Sequence, residues 1–148
     1  MNRKLIVVAD LGRLKAFQLE WTIQKTPHLV PLEEVELEEA HHRVLERVTD
    51  MAGRRAAPAQ KQWGAPITDV HNLELETRHR LIRRIAKLIE QKILRDGQNG
   101  CWFAAPKEIH HAILQELPEP VRARIEKNLS RDLTKADAEE LLEQFFST

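Results

Sequence analysis

The sequence has a single cysteine, Cys101, among its 148 residues, so no disulfide can form within the chain. This fits a reducing compartment, where structural disulfides are rare. An excess of charge of one sign is also missing, because 23 Lys and Arg residues balance 23 Asp and Glu residues. A general nucleic-acid coat would be strongly basic. Any contact with a polyanion must therefore use a local patch.

Long hydrophobic runs are absent too. The apolar run near the start, Leu5 to Ala9, is too short for a signal-peptide core or a membrane span. We therefore expect no membrane insertion and a cytoplasmic location. A hydrophobic content of 42% and a charged content of 31% are typical of a globular protein. The length predicts one domain over residues 1–148.

Motifs that carry known chemistry are lacking as well. There is no Gly-x-Ser-x-Gly, no Gly-x-Gly-x-x-Gly and no phosphate-binding loop. The seven histidines do not have zinc spacing. Glu-x-x-His occurs twice, but a di-iron site needs a four-helix core, which the predicted strands contradict. We predict no metal and no cofactor, and we favour a protein without enzymatic activity.

The first part of the chain predicts three antiparallel strands. The apolar run from Leu5 to Ala9 indicates a buried central strand. The Asp10-Leu11-Gly12 turn then joins it to an alternating strand over residues 13–20. Residues 28–37 suit a third strand at the sheet edge, because Pro31 and several glutamates would protect such an edge.

The second part of the chain alternates between segments with the apolar pattern of a helix and segments with that of a strand. Residues 73–94 have a helical apolar stripe, residues 102–105 predict a strand, and another amphipathic helix follows Pro106. A short strand within residues 125–133 precedes a final helix. We therefore predict an α/β fold with a ribonuclease-H-like mixed sheet of about five strands. Three would be antiparallel and two parallel through helical crossovers, with three or four helices.

Helix ends have recognisable residues. Asp69 or Asn72 suits the start of the long helix, and Gly97 suits a left-handed residue at its end. Thr134 and Asp137 resemble a capping box before the last helix.

Asp10 is the candidate acidic site. It follows the first strand at its carboxyl end, where α/β sheets place ligands. A metal-dependent nuclease would need several carboxylates converging there, and the strand at 102–105 supplies none. A turn role for Asp10 is the favoured interpretation.

Two basic clusters predict a nucleic-acid-binding surface. The segment 51–66 has no regular period and carries Gly, Pro and positive charge beside an aromatic residue. The long helix carries further arginines, for which a solvated helix face is the favoured alternative. Arginine and tryptophan together suit phosphate pairing and base stacking. The candidates are Arg54, Arg55, Lys61, Trp63, Arg80, Arg83 and Arg84.

Several motifs resemble those of the bacterial host attachment proteins, also described as proteins required for attachment to host cells. The motifs are Ile6-Val-Val-Ala-Asp10, Arg13-Leu-Lys-Ala-Phe17, Asp50-x-x-Gly53-Arg54, Phe103-Ala-Ala-Pro106 and Leu129-Ser-Arg-Asp-Leu-Thr134. This resemblance implies a cytosolic domain similar to the middle domain of eukaryotic and archaeal release factors. That domain acts on the ribosome through a Gly-Gly-Gln loop, which this chain lacks.

The leading hypothesis is a non-enzymatic module that binds a ribosome or tRNA through the 50–66 loop. The alternative is a protein-interaction factor that affects host attachment indirectly, with another protein bound at the 29–37 edge strand. A metal-dependent nuclease using Asp10 is the third interpretation.

Overall fold

The computed structural model describes residues 3–37 and 67–147, with side chains in the second range from residue 75 onward. Strands and helices follow in the order β1 (Lys4–Ala9), β2 (Arg13–Trp21), β3 (Pro27–Glu36), α1 (Ile67–Asp96), β4 (Cys101–Ala104), α2 (Lys107–Glu116), α3 (Glu119–Arg122), β5 (Ile125–Leu129) and α4 (Ala138–Phe146). The one-turn helix α3 was not expected from the sequence. No helix in these two ranges is long and apolar enough to cross a membrane.

The five described strands form one mixed sheet in the order β3-β2-β1-β4-β5. Pairing is antiparallel between β1 and β2 and between β2 and β3. It is parallel between β1 and β4 and between β4 and β5. The predicted ribonuclease-H-like topology is confirmed, with three antiparallel strands followed by two parallel ones.

Strand β1 lies in the middle of the sheet and is buried on both faces. Leu5, Val7 and Ala9 face one hydrophobic core, whereas Ile6 and Val8 face the other. An alternating strand would leave one face polar, so the continuous apolar run is what allows this double burial.

Helices cover the two faces unequally. On one face, α1, α2 and α3 pack their apolar stripes against β1, β2 and β4. On the other face, α4 packs with Leu141 and Phe145 against Ile6, Val8 and Trp102. Phe145 stacks on Trp102, with ring centroids 5.8 Å apart.

A β-bulge in β3 changes which side chains face each core. Ala16 pairs with Glu33 and Phe17 with Pro31, so Leu32 has no partner on β2. The extra residue reverses the alternation. Leu29 therefore packs on the α4 side of the sheet, and Glu33 is placed on the α1 side.

The predicted caps were wrong at three points. Asp69 and Asn72 both lie inside α1 rather than before it. The glycine with a left-handed backbone is Gly100, with φ of 113°, and not Gly97. Asp137 caps α4 by accepting a hydrogen bond from the Glu140 N–H at 2.9 Å, without Thr134.

An ion pair joins the edge strand β3 to α1. The Lys92 side chain is buried, and its ammonium contacts the Glu33 carboxylate. Arg95 reaches the same carboxylate at 3.3 Å. Burial lowers the pKa of Lys92, and Arg95 lowers it further, whereas Asp96 acts in the opposite direction. The Glu33 carboxylate therefore compensates the Lys92 ammonium, which burial has removed from most of its hydration.

We predict that Glu33→Gln lowers the free energy of unfolding by about 1–2 kcal/mol, because it leaves the Lys92 ammonium without its carboxylate. Glu34→Gln is the matched control, since Glu34 is exposed and pairs with Arg13 at the surface. It should cost less than about 0.5 kcal/mol. Urea denaturation measures both, and equal losses would contradict the assignment.

We also predict that Gly100→Ala lowers the free energy of unfolding by about 1–3 kcal/mol. Its φ of 113° is unfavourable for a residue with a Cβ, and that Cβ would collide with the Glu126 carboxylate. Repeating the substitution in a Glu126→Ala background removes the collision but keeps the backbone strain. The loss should shrink there to about 1 kcal/mol. An unchanged loss would show that Glu126 contributes nothing.

Candidate functional site

A cleft lies at the carboxyl edge of the parallel strands. The turn after β1, the start of α2 and the segment after β5 meet there, and α1 closes one side. Its volume is about 550 Å³. The described lining residues are Asp10, Leu11, Gly12, Arg13, Arg78, Pro106, Glu108, Ile109, Thr134 and Lys135. This edge is where open α/β sheets bind ligands.

Asp10 has a turn interaction and a long-range one. Its Oδ1 accepts a hydrogen bond from the Gly12 N–H at 2.7 Å, which closes the turn into β2. Its Oδ2 lies 3.2 Å from the Thr134 hydroxyl. That hydroxyl is buried and lies closer to Asp132 Oδ1, at 2.6 Å. Thr134 thus links the turns after β1 and β5.

The nuclease interpretation finds little support in this geometry. The end of β4 continues through Ala105 to Pro106, which lines the cleft, and none of these residues is a carboxylate. The carboxylate connected to Asp10 is that of Asp132, because the Thr134 hydroxyl contacts both side chains. Within the two described ranges, no group of three or more His, Cys, Asp or Glu residues could hold a metal ion. The role of Asp10 beyond its turn stays a prediction.

Three cationic side chains line the cleft. Arg13 is engaged with two glutamates of β3, at 3.4 Å from Glu34 and 3.0 Å from Glu36. Arg78 donates one hydrogen bond, from Nη2 to the Glu108 carbonyl oxygen at 3.1 Å. Lys135 is exposed. Arg78 and Lys135 therefore keep donors that a ligand could use.

A separate basic face lies on the outer side of α1. Residues three and four apart share one face of a helix, so the three predicted arginines group with Lys87. All four side chains are exposed. Within the described part of the chain, Arg83, Arg84 and Lys87 form no ion pair. We call Arg80, Arg83, Arg84 and Lys87 the α1 basic face.

The other predicted site residues lie outside the described residues. They are Arg54, Arg55, Lys61 and Trp63, together with the rest of the 50–66 loop. The edge-strand prediction for residues 29–37 falls on β3, which does lie at one edge of the described sheet. Its role in binding stays a prediction.

Two side chains of types that often take part in catalysis, Cys101 and His110, are buried. Burial raises the pKa of the Cys101 thiol, and Glu126 raises it further, so the thiolate nucleophile is suppressed. His110 is buried and stacks on Phe103, with ring centroids 5.2 Å apart. Its Nε2 has no hydrogen-bond partner among the described residues.

Sequence reasoning found Asp10 but missed Thr134 and Lys135 as cleft residues. In the sequence, Thr134 resembles a helix cap, and Lys135 has no distinguishing pattern. Arg78 lies among the arginines of the long helix, and nothing in the sequence connects it with Asp10. The sequence feature that could have identified them is position, since Thr134 and Lys135 follow β5 closely and Arg78 lies on the helix that covers the cleft. This signal is weak, because strand ends commonly carry polar residues.

The fold and the cleft define a small α/β protein of ribonuclease-H-like topology with a ligand-sized cleft at its sheet edge. A family model described as "Protein required for attachment to host cells" matches residues 5–145. The chain therefore belongs to this host attachment family. A search of curated proteins finds no match.

We predict that His110 makes stability depend on pH. Burial lowers its pKa from the ordinary value of about 6.5, and His111 lowers it further, while a hydrogen bond with Asn128 opposes the shift. The unfolded chain therefore binds the proton more readily than the folded one. Stability is complete above about pH 6.5 and is lost as the pH falls from there towards the lowered folded pKa.

The check is urea denaturation at about pH 7.5 and about pH 5.5, on either side of the ordinary histidine pKa. His110→Phe should reduce the loss of unfolding free energy between the two pH values. His111→Gln, which changes the exposed neighbour, should leave most of that loss in place. The same pH dependence in all three proteins would refute the assignment.

Proposed function

We propose that this member of the host attachment family is a non-catalytic RNA-binding module that contacts tRNA or the ribosome through the α1 basic face. The single observation that carries the proposal is the grouping of four exposed cations on one helix face, three of them without an ion pair among the described residues.

Electrostatics support a phosphate ligand for this face. The protein has no net charge, so it does not attract polyanions as a whole. The α1 basic face concentrates positive charge within two helical turns. Arginine pairs with phosphate through a planar set of N–H donors. Because these side chains are exposed, their donors stay hydrated and accessible in the free protein.

The segment before α1 is proposed to extend this surface. Residues 50–66 precede the helix in the chain and carry Arg54, Arg55, Lys61 and Trp63. Arginines would pair with phosphates and Trp63 would stack on a base. A ribosomal partner is the expectation that follows from the release-factor likeness implied by the sequence motifs, and both belong to this proposal. Without Gly-Gly-Gln, the proposed role is binding rather than peptidyl-tRNA hydrolysis, with host attachment as an indirect consequence.

A protein partner at β3 is the second candidate. This strand is ten residues long and pairs with β2, so its other side lies at the edge of the described sheet. A partner strand could add there. The bulge at Leu32 and the exposed Glu34 and Glu36 disfavour flat pairing, and we therefore rank this candidate below RNA binding.

The test of the RNA proposal is binding of labelled tRNA and co-sedimentation with purified ribosomes across a salt series. Arg83→Gln/Arg84→Gln should weaken tRNA binding about tenfold at low salt, because two phosphate contacts are lost. The slope of log affinity against log salt should become shallower by about 0.7 for each contact.

Lys25→Gln/Arg122→Gln is the matched control. It removes the same charge from two exposed positions outside the α1 basic face, and it should retain wild-type affinity. Absence of RNA binding at low salt, or equal losses in both double variants, would refute the proposal. Affinity for a protein that is lost on substituting β3 instead would favour the second candidate.

A further inference from the structure

We propose that the cleft at the carboxyl edge of β1 and β4 binds a mononucleotide. This site is separate from the α1 basic face, and the inference does not depend on RNA binding. A volume of about 550 Å³ lies within the usual range for small-molecule sites. The class of ligand follows from three kinds of groups in the lining.

The first group consists of cations that suit a phosphate. Arg78 uses one of its N–H donors on the Glu108 carbonyl and keeps the others. Lys135 is exposed and is in no ion pair among the described residues. Arg13 contributes less, because Glu34 and Glu36 neutralise it. Two cations on one cleft favour a dianionic phosphate monoester over a neutral ligand.

The second group is an acceptor that suits a hydroxyl. The Thr134 hydroxyl has one proton and two carboxylates nearby. It lies 2.6 Å from Asp132 Oδ1 but 3.2 Å from Asp10 Oδ2, so the Thr134 hydroxyl donates its proton mainly to Asp132. Asp10 Oδ1 already accepts from the Gly12 N–H. Asp10 Oδ2 receives only the longer contact from Thr134, so it has a lone pair with which to accept a hydrogen bond from a sugar hydroxyl.

The third group is an apolar wall that suits a planar ring. Leu11, Pro106 and Ile109 line the cleft between the polar groups. Ile109 is 2% exposed and belongs to the core, so it gives the wall a fixed position. A phosphate, sugar hydroxyls and a planar base occur together in a nucleoside monophosphate. A free inorganic anion would leave the wall and Asp10 unused.

The α1 helix separates this site from the basic face. Successive helical residues turn by about 100°, so Arg78 points about 140° away from Arg83. Arg78 can therefore serve the cleft while the α1 basic face remains open on the other side. Substitutions at one surface should leave the other intact.

The experiment is isothermal titration of the full chain with adenosine monophosphate, adenosine and inorganic phosphate. Adenosine monophosphate should bind at least about tenfold more tightly than either fragment, because it uses all three groups. The dideoxy analogue should bind more weakly, because it lacks the hydroxyls for Asp10. Equal affinity for the nucleotide and for inorganic phosphate would overturn the proposal.

The variants are Arg78→Gln and Lys135→Gln, each expected to weaken nucleotide binding by about threefold to tenfold. Lys135→Gln carries no risk to folding, since its side chain is exposed. Lys107→Gln is the matched control, because it lies beside the cleft lining but outside it, and it should bind normally.

Arg83→Gln/Arg84→Gln should also bind the nucleotide normally, which keeps this test independent of RNA binding. No detectable binding at millimolar nucleotide, or equal losses in the Lys107 and Lys135 variants, would refute a nucleotide site in the cleft.

Discussion

The burial of β1 on both faces imposes the arrangement of the strands and helices around it. A strand without a polar face must be covered on each side, so helices have to pack on both surfaces of the sheet. Its odd-numbered residues anchor the core under α1, α2 and α3, and its even-numbered residues anchor the core under α4. The antiparallel partner β2 and the parallel partner β4 then extend the sheet in opposite directions.

The parallel pairing of β1 with β4 also creates the cleft. Parallel strands end at the same edge, and β5 follows the same direction. The turn at Asp10, the start of α2 and the segment with Thr134 are therefore brought together by strand direction. Neither hydrophobic core contains the polar side chains of these three segments, so this edge can carry binding groups. In contrast, the α1 basic face exists because only one side of that helix is required for the core.

Neither family membership nor topology specifies a molecular function for this protein. The family match connects the chain with attachment to host cells but specifies no molecular contact. The ribonuclease-H-like topology is shared by proteins of many activities, so it does not identify a reaction. Asp10 illustrates this, because its contacts with the Gly12 N–H and the Thr134 hydroxyl are visible, whereas the topology does not specify any further role. Function must therefore be argued from the two surfaces themselves.

The order of strands and helices along the chain, the central position of β1 and the apolar side of α1 could be predicted from the sequence. These features follow from local period and composition, which act along the chain. The meeting of residues 10, 78 and 134 at one cleft depends on tertiary folding, as does the left-handed backbone at Gly100 rather than Gly97. The bulge that turns Glu33 towards Lys92 depends on it as well. Such contacts join residues far apart in the chain, and local patterns hold no information on which distant partner each will meet.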